Sequence, residues 1–102
     1  RRGQMMKPVL VETIRRARAA GVKIVTGSDT GYGPASMARV SREILELIDA
    51  GLPALAALQA ATSLNAELLR LETQVGSLKP GYEADLVVVD ANPLERPRTL
   101  LD

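Results

Sequence analysis

The sequence predicts an α/β protein, read as the closing part of a sheet fold whose earlier strands lie outside these 102 residues. Three observations predict it. Stretches with apolar residues at helical spacing alternate with short β-branched runs. The runs at 22–26 and 86–89 read as strands apolar on both faces, which need cover on both sides. The sequence offers too few companion strands to pair their ladder groups, and three amphipathic helices alone do not supply them.

The first helix is expected from Pro8, where a missing N–H costs nothing in a first turn, through Val9, Leu10, Ile14 and Ala17. Glu12, Arg15, Arg16 and Arg18 fall on its solvated side, and Gly21 suits the position just past its end. Residues 22–26 form a β-branched run that includes Lys23. Residues 27–34 follow with Gly27, Gly31 and Gly33, which is loop chemistry. Val40, Ile44, Leu47 and Ile48 make one stripe of a second helix that ends at Gly51, with Arg39, Arg42, Glu43 and Glu46 facing solvent. An Ala-rich third helix starts near Pro53, and Ser63 or Asn65 is expected to cap a short fourth helix running to Leu71. Beyond it, 75–78 and 86–89 read as strands around the turn signal Pro80-Gly81, and Asn92-Pro93 opens a turn-rich tail.

Composition excludes several kinds of chemistry. Thirteen Lys+Arg against 12 Asp+Glu leave a net charge of +1, with no electrostatic case for nucleic acid or an anionic membrane. Two aromatic residues, both Tyr, make no base-stacking platform. With no Cys and no His, disulfides, thiol nucleophiles, imidazole bases and imidazole metal ligands are all ruled out within this sequence.

The stretch Thr26-Gly27-Ser28-Asp29-Thr30-Gly31 stands out, because in parallel α/β folds ligands bind at the C-terminal ends of strands. An Asp flanked by glycines there can ligate a divalent metal or take a proton from water. It can equally cap its own turn and do nothing else. Thr30 and Tyr32 are candidate substrate contacts; each also suits a loop residue that satisfies backbone or covers the loop. A phosphate-cradle reading of Gly31-Tyr32-Gly33-Pro34-Ala35-Ser36 fails at the third glycine, and Pro34 removes an N–H that an anion would use.

The stretch Ala20-Gly21-Val22-Lys23-Ile24-Val25-Thr26-Gly27-Ser28-Asp29-Thr30 resembles the eighth barrel strand of the metal-dependent amidohydrolase superfamily. Ala50-Gly51-Leu52-Pro53, then Leu58 through Ala66, resembles the helices that follow it. Val75-Gly76-Ser77-Leu78-Lys79-Pro80-Gly81-Tyr82-Glu83-Ala84-Asp85 into 86–90, then Asn92-Pro93-Leu94, is similar to that family's return to a small β-sandwich. The likeness is nearest to the imidazolonepropionase-like and prolidase-like branch. It implies a TIM-type (β/α)8 barrel, with 1–72 as its C-terminal end and 73–102 as strands of the composite sandwich domain.

It also implies a divalent metal, zinc first, as one or two ions. Asp29 would be both ligand and catalytic proton carrier, Thr30 and Tyr32 would contact substrate, and the remaining ligands would lie outside this chain. The implied function is hydrolysis of a C–N bond by metal-activated water, in a small-molecule amide, cyclic amide or dipeptide. The piece alone is expected to be inactive without the N-terminal part of the barrel, its obligatory partner; neither nucleic acid nor a membrane is expected. The expected compartment is the cytoplasm, any leader lying upstream of Arg1. A rival reading makes the chain a non-catalytic structural or interaction module in which Asp29 is only a turn residue. The sequence departs from the family pattern at the histidine-free loop 31–36, at Pro53-Ala54 in place of Thr-Pro, and at Arg70, where a Gly often ends the fourth helix.

Overall fold

The structure, a computed structural model, describes residues 2–27 and 39–102. Helix α1 runs Arg2–Ala19, α2 Val40–Asp49, α3 Ala54–Ala61 and α4 Ser63–Leu68, and a 3-10 helix spans Pro97–Leu101. Helix α2 packs against α3, α3 against α4, and the 3-10 helix folds back onto α2. The core sits between α2 and α3: Ile44, Leu47, Leu52, Ala57 and Ala60, with Ile14, Ile24, Ile48 and Leu100 packed around it. Small Ala side chains on α3 let its neighbours approach closely, and both Ala57 and Ala60 are completely enclosed.

Three helices end in the same way. Each closes with paired hydrogen bonds, from the first residue beyond the cap and from the next one, back to the last turn. After α1 these are Gly21 N to Arg18 O and Val22 N to Ala17 O, each 3.0 Å. After α2 they are Gly51 N to Ile48 O at 2.9 Å and Leu52 N to Leu47 O at 3.0 Å. After α4 they are Arg70 N to Glu67 O at 3.1 Å and Leu71 N to Ala66 O at 2.8 Å. The motif puts its pivot residue at positive φ, which Gly21 (83°) and Gly51 (107°) adopt without Cβ strain. Arg70 adopts it too, at φ 60°, and as a non-Gly residue it is strained there.

Several expectations are corrected. Helix α1 begins at Arg2, so Pro8 lies in its interior and not in the first turn; there it withholds one N–H from the helical ladder. Thr62, not Ser63 or Asn65, occupies the N-cap of α4, and no side chain caps it. Its hydroxyl instead turns back to donate to Leu58 O at 2.7 Å, at a break between α3 and α4 where Thr62 has φ −128° and ψ −98°. Helix α4 stops at Leu68, since the reversal at Arg70 intervenes before Leu71.

The expected strands at 22–26, 75–78 and 86–89 are absent: among the described residues there is no β-strand. A strand is defined by its ladder, and among the described residues these runs form no ladder with another extended run. The run 22–26 is extended chain laid against the helices, whereas 86–89 makes no hydrogen bond to another described residue. The stretch from 72 to 83 closes on itself. Tyr82 Oη donates to Glu72 O at 2.6 Å, Glu83 N to Gln74 O at 2.8 Å, and Lys79 Nζ lies 5.7 Å from the Tyr82 ring centre. Gly76, at φ 92°, brings this stretch against α4 so closely that a Cβ would stand 2.8 Å from Ala66 Cβ.

Candidate functional site

Asp29, Thr30 and Tyr32 lie outside the described residues. What the structure does show is the platform from which the chain leaves toward them. Thr26 is buried at 7% exposure, beside the end of α3 and the start of α4. Its N–H donates to Ala60 O at 3.1 Å, satisfying one of the carbonyls that the C-terminal turn of α3 leaves unpaired. Its carbonyl accepts from Asn65 Nδ2 at 3.0 Å, and Asn65 Nδ2 also stands 3.5 Å from Thr26 Oγ1. The next N–H, of Gly27, donates to Glu43 Oε1 at 2.8 Å. A bond from backbone N–H to a carboxylate is charge-assisted, on the order of 1.5–3 kcal/mol net. Glu43 lies in the first turn of α2, where the helix dipole also favours a negative charge.

Two of these residues carry a different role from the one expected. Glu43 was expected on the solvated face; it is half-buried and bonded to Gly27. Asn65 was expected as a cap; it sits inside α4 and reaches across to Thr26. The sequence held one usable signal: an amide in a helix interior is disfavoured unless it bonds outside its helix. For Glu43 no such signal exists, since an acid in a first helical turn suits solvent equally well.

An open groove of about 350 Å³ borders the same segment, with Arg18, Lys23, Ile24, Leu52, Gln59 and Glu67 among its lining. Its charged pair, Lys23 and Glu67 at 3.0 Å, is solvent-exposed and screened, so it marks a surface contact between 22–27 and α4. Among the described residues no group of three His, Cys, Asp or Glu side chains could hold a metal ion. Because the whole sequence lacks His and Cys, it offers no imidazole or thiolate donor. A catalytic zinc normally takes three protein ligands, so the described residues do not fit a metal by themselves.

Residues 5–102 match the model of the Amidohydrolase family. Among solved structures the chain is similar to a Xaa-Pro dipeptidase with bound methionine in the active site, at 38% identity and a TM-score of 0.79, over 91% of this chain and 22% of that one. It is also similar to a prolidase complexed with N-methylphosphonate-L-proline, at 35% identity and a TM-score of 0.79, over 90% of this chain and 22% of that one. No curated protein matches the chain significantly. The fold is therefore amidohydrolase-like, and the chain belongs to the Amidohydrolase family. It spans about one fifth (22%) of the length of the structures it resembles.

Proposed function

We propose that these residues form the C-terminal part of a metal-dependent amidohydrolase that hydrolyses a C–N bond, with Xaa-Pro dipeptides as the first substrates to test and other amides or cyclic amides next. The observation that carries this reading is the 38% identity to a Xaa-Pro dipeptidase over 91% of the chain. In this reading 1–72 is the end of a (β/α)8 barrel, with 22–26 as its last strand, and 73–102 contributes strands to a small β-sandwich. Both extended runs find their ladder partners in polypeptide beyond this sequence. A divalent metal, zinc first, acidifies water when bound. Asp29 contributes one carboxylate ligand to it and carries a proton during hydrolysis, while Thr30 and Tyr32 contact the substrate. The remaining ligands come from outside this chain, so the 102 residues alone are inactive.

The test uses the complete polypeptide and compares it with its Asp29→Asn variant. Turnover of Xaa-Pro dipeptides is expected to fall roughly 10²–10⁴-fold, the range for loss of a positioned proton carrier. Metal content, read by elemental analysis, is expected to fall with it. Wild-type turnover together with wild-type metal content in Asp29→Asn would overturn the reading and favour a non-catalytic module.

A further inference from the structure

We infer that Glu43 and Asn65 are positioning residues that lock the peptide group between Thr26 and Gly27, and with it the direction in which the chain departs toward Asp29. The inference rests on the role proposed for Asp29. Asn65 Nδ2 holds the Thr26 carbonyl at 3.0 Å and Glu43 Oε1 holds the Gly27 N–H at 2.8 Å. Those two groups belong to one peptide unit. In a trans peptide they point in opposite directions, so the two side chains grip the same plane from its two edges. One grip comes from α2 and the other from α4, and neither helix adjoins the segment in sequence. Rotation of this plane would break one bond or both.

A sheet normally does this work with neighbouring strands. In the barrel reading neighbouring strands hold 22–26, but at its last described peptide, between Thr26 and Gly27, the carbonyl and N–H are each bonded to a side chain. The N–H of Thr26, bonded to Ala60 O, fixes the preceding peptide as well. Gly27 does not adopt a left-handed backbone, and among the described residues a Cβ there would meet nothing within 4 Å. Glycine geometry therefore does not set the orientation of this peptide, and the two grips bear on it directly. Asp29 is two residues further on, at most about 7.6 Å from Gly27 between Cα atoms. A misplacement of roughly 1 Å at a reacting group can cost on the order of 10²-fold in rate.

The experiment uses the complete polypeptide with its metal and four substitutions, beside Asp29→Asn. Glu43→Ala removes the acceptor, Glu43→Gln keeps an acceptor oxygen, and Asn65→Asp keeps the shape but loses the donor. Glu67→Gln, on the same helix as Asn65, removes only the charge of the exposed pair that Glu67 makes with Lys23. Glu43→Ala and Asn65→Asp are expected to lower kcat roughly 10- to 100-fold with KM within about twofold. Glu43→Gln should recover kcat to within about threefold of wild type, and Glu67→Gln should match wild type. Hydrogen exchange at the Gly27 amide should speed up in Glu43→Ala and not in Glu43→Gln. If Asn65→Asp does not fold, Asn65→Ser, too short to reach the carbonyl, replaces it.

Wild-type kcat in both Glu43→Ala and the Asn65 variant, or Glu43→Gln as impaired as Glu43→Ala, would overturn the inference. If Asp29→Asn abolishes turnover in that same series, only the positioning role falls. If Asp29→Asn is as active as wild type, the role of Asp29 falls and takes the positioning role with it.

Discussion

The two runs that read alike in sequence, 22–26 and 86–89, end in opposite situations. Both are short, β-branched and apolar, and neither is paired as a strand among the described residues. The first is nonetheless held: Ile24 packs against the core, Thr26 is buried, and α2, α3 and α4 each contribute a hydrogen bond to its end. The second is bare, with Val87 81% and Val88 91% exposed. The difference lies in where the partners are. The partial cover for 22–26 comes from helices within this sequence, whereas 86–89 makes no hydrogen bond to another described residue and only borders an open concavity beside Val40 and Ile44. Extended backbone is thus a local preference, but its burial is a property of what packs against it.

Four substitutions probe that contrast and the contacts beneath it, and a fifth calibrates it at the surface. Gly76→Ala is expected to cost the most, about 3 kcal/mol, because it combines a left-handed φ of 92° with a Cβ 2.8 Å from Ala66 Cβ and 3.0 Å from Thr62 O. Urea denaturation reads it, and a cost below about 1 kcal/mol would mean that the 72–83 stretch is not seated on α4 as described. Ala60→Leu is expected to cost about 2 kcal/mol by overpacking a residue that is 0% exposed beside Thr26. A neutral result would show that α3 does not press on the 22–26 run.

Arg70→Gly should stabilise by about 0.5–1 kcal/mol, since it relieves a left-handed non-Gly residue at a helix end whose hydrogen bonds already suit glycine. A rise in the thermal midpoint checks it. Val88→Lys in the 102-residue chain should shift stability by less than about 0.5 kcal/mol, as for any exposed site. A loss several times larger in the complete polypeptide is what the sandwich proposal requires, and it would close the contrast between the two runs.

The smallest effect is expected at Glu12. Its carboxyl is held below the ordinary range, chiefly by the hydrogen bonds from Arg15 at 2.8 and 3.0 Å. A lowered carboxyl pKa stabilises the fold above the unfolded value and loses that contribution as pH falls through the folded one. The pair is solvent-exposed and screened, its side chains 68% and 50% open, so Glu12→Gln should leave both the denaturation midpoint and its acid limb unchanged within error.

The helices were legible because their information is local. The stripe Val40, Ile44, Leu47 and Ile48 announced α2, and Gly21 and Gly51 marked ends that the backbone confirms with positive φ. The departure at Arg70, noticed as a missing glycine, coincides with the left-handed turn that a glycine would have eased. Pro8 misled, because its compatibility with a first turn says nothing of residues that continue the helix upstream. At the candidate site the sequence marked Asp29 but overlooked Glu43 and Asn65, whose roles depend on contacts across 16 and 39 residues.

By itself, then, the sequence determined that four α-helices occur among the described residues and in what order, the glycine stops of α1 and α2, the absence of imidazole and thiol chemistry, and the family likeness, all of which are written in residue type and short spacing. Tertiary structure alone decided which β-branched run is covered and which side chains grip the Thr26–Gly27 peptide. Burial and long-range hydrogen bonds depend on the approach of segments distant in the chain, and no local pattern encodes that approach.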